Sequence, residues 1–161
     1  AARTLRAQIP VATGTEEMEA VTVIDTLRRA KVHVDVASVM EDATVRCSRG
    51  VVLQADGLIA EFASNTYDLI ALPGGMPGAT HLRDSSTLTE MLKAQKAADR
   101  WYAAICAAPG VAFAHHGLTA EVRTTSHPSV RAKLSHPSDE RVVVDGKCVT
   151  SQGPGTALEF A

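Results

Sequence analysis

Cys106 is the residue whose type and place point first to chemistry. The apolar run Ala103 to Ile105 reads as the end of a buried strand, and the small residues after it, with Pro109 and Gly110, read as the start of a helix. A sharp strand-to-helix turn lifts its side chain above the sheet, the logic of a nucleophile elbow. A helix start also favours an anion, so the thiol is expected to titrate below its usual ~8.5, toward neutrality or lower, as the reactive thiolate. The competing reading is an inert enclosed side chain, because free cysteine is among the most often buried residue types. Two other turns stand where strands end, the carboxylate-bearing "ATGTEEME" and the glycine-bearing "LPGGMPG". Ligands of open α/β sheets bind beyond the carboxyl ends of the strands, so the three turns are expected to meet in one cleft. There the N–H groups of Ala107 and Gly75, with Gly74 beside them, are the candidates to hold a developing oxyanion and line the substrate. A thiolate beside a carboxyl forms an addition-and-proton-shuttle pair.

The elements that must position these groups follow from hydrophobic spacing. "LRAQIPVATG" reads as a first strand, and "TEEMEAVTVIDTLRRA" as a helix with Met18, Val21, Ile24 and Leu27 on one face. Its acids come first and its bases last, as the helix dipole favours. "VHVDVASV" alternates as a strand, and "GVVLQADGLIAEF" reads as a short hairpin or edge excursion. "YDLIALPGG" is a continuous apolar run, the pattern of a strand covered on both faces. "STLTEMLKAQKAAD" reads as a helix with Thr87 and Glu90 at capping-box spacing. After Cys106 a helix is expected to end near Gly117. "RVVVDGKCVTS" is a hairpin turning at Asp145-Gly146, and "QGPGTALEFA" a turn with the start of a helix. Strand and helix in this rhythm give an α/β fold, a mostly parallel sheet with helices on both faces. Residues 1–161 are expected to form a single domain. The last helix begins only about two turns before Ala161, too short to cover its side of the sheet, so the domain is expected to lack the rest of a C-terminal helix.

Composition narrows the function classes. Charged residues are 21% and the net charge is −2, with no basic stripe for nucleic acid and no polybasic segment for an anionic membrane. No apolar run approaches the ~20 residues that span a bilayer, and "AARTLRAQIP" lacks the apolar core of a secretory signal. Cys47, Cys106 and Cys148 are too few and too scattered for a disulfide framework or a tetrahedral zinc site, so no metal is expected. An odd cysteine count without an export signal suggests a reducing, cytoplasmic setting; a transit peptide removed on entry to a plastid or mitochondrion would leave no trace. No GxGxxG or P-loop follows a strand, and the prolines of "PGGMPG" donate no N–H to a phosphate, which disfavours a nucleotide binder.

Six blocks in order, "EEMEAV", "RCSRGVV", "LPGGMPGA", "AAICAAPG", "TTSHP" and "TSQGPGTALEFA", resemble the ThiJ/PfpI superfamily and, within it, the Parkinsonism-associated deglycase branch. The resemblance runs from about Leu5 to Ala161. It implies a flavodoxin-like sandwich of the class I glutamine amidotransferase kind, with Cys106 at the elbow, Glu19 as its partner acid, His127 near the cleft and Gly75 as the oxyanion glycine. It also implies a homodimer, through the first helix and the neighbouring edge, and no cofactor. Arg28 and Arg49 become an anion-attracting rim or dimer contacts, with structural ion pairing as the alternative. The position after the nucleophile is Ala107, not the histidine of the protease-like branch, so peptidase activity is not implied. Gln54 stands where some relatives carry a second cysteine, and Gln152 where some carry an arginine.

The function this implies is cofactor-free, glutathione-independent conversion of methylglyoxal or glyoxal, or of their early glycation adducts, to lactate or glycolate. The alternative is a redox-sensing stress-response protein or chaperone whose Cys106 is oxidised to sulfinate, with little turnover.

Overall fold

The computed structural model describes residues 1–161. Its centre is a seven-stranded sheet in the order β5-β2-β1-β6-β7-β9-β8. The strands are β1 (Arg6–Val11), β2 (His33–Ser38), β5 (Gly57–Leu58), β6 (Leu69–Leu72), β7 (Trp101–Ile105), β8 (Val142–Asp145) and β9 (Cys148–Ser151). Every pairing is parallel except β8 with β9, the hairpin expected at Asp145-Gly146, where Gly146 takes φ 57. Helix α1 (Glu17–Arg29) and the one-turn α5 (Ala157–Phe160) cover one face; α2 (Ile59–Phe62), α3 (Gly78–Asp84) and α4 (Ser86–Ala97) cover the other. Two-sided cover explains why β6 and β7 read as unbroken apolar runs. Along β7, Tyr102 and Ala104 pack toward α4 with Leu88 and Leu92, while Ala103 packs toward α1 with Ala20 and Val23. The sandwich is the α/β architecture the sequence predicts.

The register fixes the site. Leu72 of β6 lies beside Ala104 of β7, and Ile105 lies beside Ser151 of β9, so the turns after β1, β6 and β7 emerge together.

Several local readings change. The excursion expected at 50–62 starts earlier: β3 (Thr44–Arg46) and β4 (Val52–Gln54) form a separate antiparallel hairpin, followed by β5 and α2. The cap of α4 is Ser85, whose Oγ accepts the Leu88 N–H at 3.2 Å, in place of the Thr87–Glu90 box. Helix α3 has no counterpart in the sequence reading. The segment after Cys106 is a π-helical turn, Pro109–Phe113, whose Ala114 N–H reaches back to the Pro109 carbonyl at 2.9 Å.

No helix is long and apolar enough to cross a membrane. At the end of the sheet where β6 and β7 begin lies a hollow of about 520 Å³, lined by Leu27, Leu69, Trp101, Val149 and Phe160 among others.

Candidate functional site

The site is built on the first residue beyond β7. Cys106 takes φ 64, a left-handed conformation rare for a side chain with a Cβ. Two backbone bonds hold it there: its N–H donates to the Ser151 carbonyl at 3.0 Å, and its carbonyl accepts the His127 N–H at 2.8 Å. The strained turn turns the thiol outward. Cys106 is part-exposed, whereas Cys47 and Cys148 are buried.

The loop after β6 passes so close that only glycine fits. A Cβ at Gly74 would lie 2.6 Å from the Cβ of Cys106. At Gly75, with φ 89, it would lie 2.4 Å from the Glu16 nitrogen and 2.5 Å from the Gly14 carbonyl oxygen. Gly75→Ala is therefore expected to destabilise the protein by at least roughly 3 kcal/mol, from left-handed strain plus backbone overlap. Thermal unfolding checks it: an alanine variant melting with the wild type would show that these loops do not press together.

Three neighbouring glutamates take three different places. Glu16 caps α1, its Oε2 accepting the Glu19 N–H at 2.8 Å. Glu17 turns toward the hairpin. Glu19 is fully buried, and its Oε1 accepts the Gly74 N–H at 2.8 Å. The other oxygen, Oε2, is enclosed without a hydrogen-bonded partner, and the Cys106 thiol is close enough for each group to shift the other.

Burial pushes the Glu19 carboxyl up to about 7, against the pull of the Gly74 N–H and the Cys106 thiol; the nearby Glu16 charge adds to the rise. Burial also pushes the thiol up to about 12, followed by the facing Glu19 carboxylate, while the N–H groups of Gly75 and Ala107 pull down. The low thiol expected from a helix start is thus corrected for the state with Glu19 ionised. A five-residue π turn supplies too little dipole to outweigh burial and a facing carboxylate. Protonating Glu19 removes that opposing charge, leaving desolvation set against the two N–H groups.

Cys106, Glu19, Gly74, Gly75 and Ala107 are brought together. The Gly74 N–H is engaged by Glu19 and does not face a substrate oxygen, which corrects its part in an oxyanion site. The backbone of His127 joins Cys106 directly, while its ring is exposed. Its Nδ1 accepts the Ser129 N–H at 3.2 Å and meets Ser129 Oγ at 2.7 Å. A backbone N–H can only donate, so the neutral ring carries its proton on Nε2. Arg28 and Arg49 share no rim. Arg28 lies near the far end of α1, about 17 Å along the helix, within 3.5 Å of Asp56 and 3.2 Å of the Val34 carbonyl. The Arg49 side chain is exposed, with only the Ser48 carbonyl as partner, at 3.4 Å. Sequence reasoning missed Glu17, which counts there only among the acids at the start of the helix. No group of three His, Cys, Asp or Glu side chains is placed to share a metal ion.

The DJ-1/PfpI family description matches residues 5–161. Protein DJ-1 homolog B of Arabidopsis thaliana is 48% identical over 155 residues, 95% of this chain and 35% of that protein, so the chain spans about a third of this relative's length. The glutathione-independent glyoxalase DJR-1.2 of Caenorhabditis elegans is 36% identical over 150 residues, 91% of this chain and 78% of that protein. Among solved structures, oxidized DJ-1 of Toxoplasma gondii superposes with a TM-score of 0.96 at 47% identity, over 98% of this chain and 86% of that one.

Proposed function

Because the chain belongs to the DJ-1/PfpI family, we propose that it acts as a cofactor-free glyoxalase or deglycase on methylglyoxal, glyoxal or their early adducts. The observation that carries this reading is the buried Glu19 carboxyl held by Gly74 against the Cys106 thiol. Above about pH 7 the pair keeps one proton, and the reactive arrangement is the microstate with thiolate beside protonated acid. The Cys106 sulfur bonds to the aldehyde carbon, and the carbonyl oxygen takes the Glu19 proton, giving a hemithioacetal. Glu19, now a carboxylate, removes the hydrogen from that carbon, and the electron pair moves to the adjacent ketone as an enediolate. Return of the proton to the neighbouring carbon, with the hemithioacetal hydroxyl proton passing to the former ketone oxygen, leaves a thioester. Water cleaves it to lactate, or glycolate from glyoxal, and frees the thiol. Ala107 and Gly75 supply N–H groups beside the sulfur, and the Nε2–H of His127 is the added donor at the mouth.

The test is steady-state turnover of methylglyoxal without glutathione or added metal, read as lactate. Lactate formed in proportion to enzyme supports the reading; none above the uncatalysed rate overturns it. A second reading, oxidation of Cys106 to sulfinate by peroxide, is favoured by its being the one cysteine that is not buried. Mass spectrometry after mild peroxide checks it, and first oxygen uptake at Cys47 or Cys148 refutes it. The exposed apolar residues Met18 and Val21 of α1, with Val51 and Val52 of the hairpin, support a homodimer through this face, checked by a solution mass twice that of one chain.

A further inference from the structure

Glu17 is buried, at 8% exposure, one residue into α1. Its carboxylate accepts the Ser48 Oγ–H at 2.9 Å, the Arg49 N–H at 3.0 and 3.1 Å on its two oxygens, and the Val51 N–H at 3.3 Å. Around this anion the chain closes on itself: the Gly50 N–H meets the Cys47 carbonyl at 3.0 Å, and the Cys47 N–H meets that of Val51 at 2.8 Å. A solvated helix-start charge needs none of these partners.

The turn is fastened in its own right to the loop after β1. The Gly14 N–H donates to the Arg46 carbonyl at 2.9 Å, and the Ser48 N–H to the Thr15 carbonyl at 2.8 Å. That loop presses on the glycine pair after β6, with the Glu16 N–H on the Gly74 carbonyl at 2.9 Å and no room for a Cβ at Gly75. The Gly75 N–H faces the Cys106 sulfur. A continuous line of close contacts therefore runs from the Glu17 carboxylate to the thiol.

We infer that Glu17 is a positioning residue: its carboxylate fastens the 47–51 turn onto the loop at 14–16, which in turn sets the Gly75 amide against Cys106 Sγ. Two carboxylates in one helical turn thereby do opposite work. Burial alone would raise Glu17, but its donors outweigh burial and hold it below the usual carboxylate range, so it is a permanent anion at neutral pH. Glu19, with one N–H donor, is left free to exchange a proton. The charged and titratable groups around Glu17 are Glu16, Cys47 and Arg49; at Sγ the charged group is Glu19, with Glu16 beyond it.

The inference rests on Cys106 being the reacting group, and its test is independent of dicarbonyl turnover. Glu17→Gln keeps the volume but turns an amide N–H₂ toward N–H donors. Alkylation of Cys106 by iodoacetamide is followed against pH, with amide hydrogen exchange of residues 47–51 alongside. The variant is expected to exchange at these amides about tenfold faster, and its alkylation midpoint to rise by roughly half to one pH unit as the Gly75 N–H loosens from the sulfur. A merely structural carboxylate would speed exchange without moving the midpoint, and an unmoved midpoint overturns the inference. Ser48→Ala, which removes one donor and keeps the carboxylate, is expected to shift the midpoint the same way by less. If Glu17→Gln does not fold, a folded Ser48→Ala with an unmoved midpoint overturns the inference on its own. A wild-type protein that makes no lactate yet shows a titrating Cys106 refutes the dicarbonyl reading alone, and the midpoint still judges Glu17.

Discussion

Cys106→Ser is expected to fold normally and to lose methylglyoxal turnover by at least roughly a thousandfold. The hydroxyl is the weaker acid by several units, and the one base beside it, a carboxyl titrating at about 7, is too weak to ionise it. The fold has little reason to change. Serine has the same branching, the backbone bonds to Ser151 and His127 stay, and the strain at φ 64 is inherited unaltered. The melting temperature should move by no more than about 2 °C, the range of a near-isosteric change in a chain of this length. Lactate production within tenfold of wild type would remove Cys106 as the nucleophile.

Glu19→Gln is expected to split activity from stability. Turnover should fall by roughly 10²- to 10⁴-fold, the usual weight of a general acid–base group, because the amide cannot pass a proton between oxygen and carbon. The thiol should react more readily with iodoacetamide near neutral pH, because the charge that raises it is gone. Stability should increase. The carboxyl titrates at 4.5 in the unfolded chain and at about 7 when folded, so between these values the native state holds a proton the unfolded state has released. The wild type is most favoured below about pH 4.5, loses stability as pH rises toward 7, and is level above. That loss is up to about 3 kcal/mol, from 1.36 kcal/mol per unit, and glutamine escapes it. The variant's advantage in thermal or urea unfolding should therefore be absent near pH 4.5 and full at pH 8. An advantage that does not grow across this window would show that Glu19 is not held in a dehydrated place.

The sequence carries the sheet more clearly than the site. Unbroken apolar runs in β6 and β7 announce strands covered on both sides, and Asp145-Gly146 announces its hairpin, because burial and turn chemistry act through the residues themselves. Helix α3 escapes notice since it opens Gly-Ala-Thr after a proline, with little apolar period to read. The π turn at Pro109 is likewise silent: its spacing comes from Pro109, which lacks a donor, and from Val130 pressing on Gly110. At the site, the place of Cys106 follows from strand-end logic, but the choice of Glu19 over Glu16 and Glu17 came from resemblance. A run of acids at a helix start says nothing about which one faces inward. The structure makes them a cap, an anchor for a turn and a buried acid, and those roles depend on donors in Gly74 and residues 48–51, far along the chain. The thiol was misjudged for a related reason, since a helix start can be read from sequence and the carboxylate facing it cannot be weighed.

The roomy hollow beneath Trp101 and Phe160 sits where β6 and β7 begin, while the elbow sits where β7 ends. Five residues of extended chain separate the two by about 16 Å. A drug-like molecule lodged in that hollow would raise the unfolding temperature yet leave Cys106 as easily labelled as before. Screens that score ligands by thermal shift would therefore collect silent binders from this chain, and a thiol-labelling counter-screen is what would sort them from inhibitors.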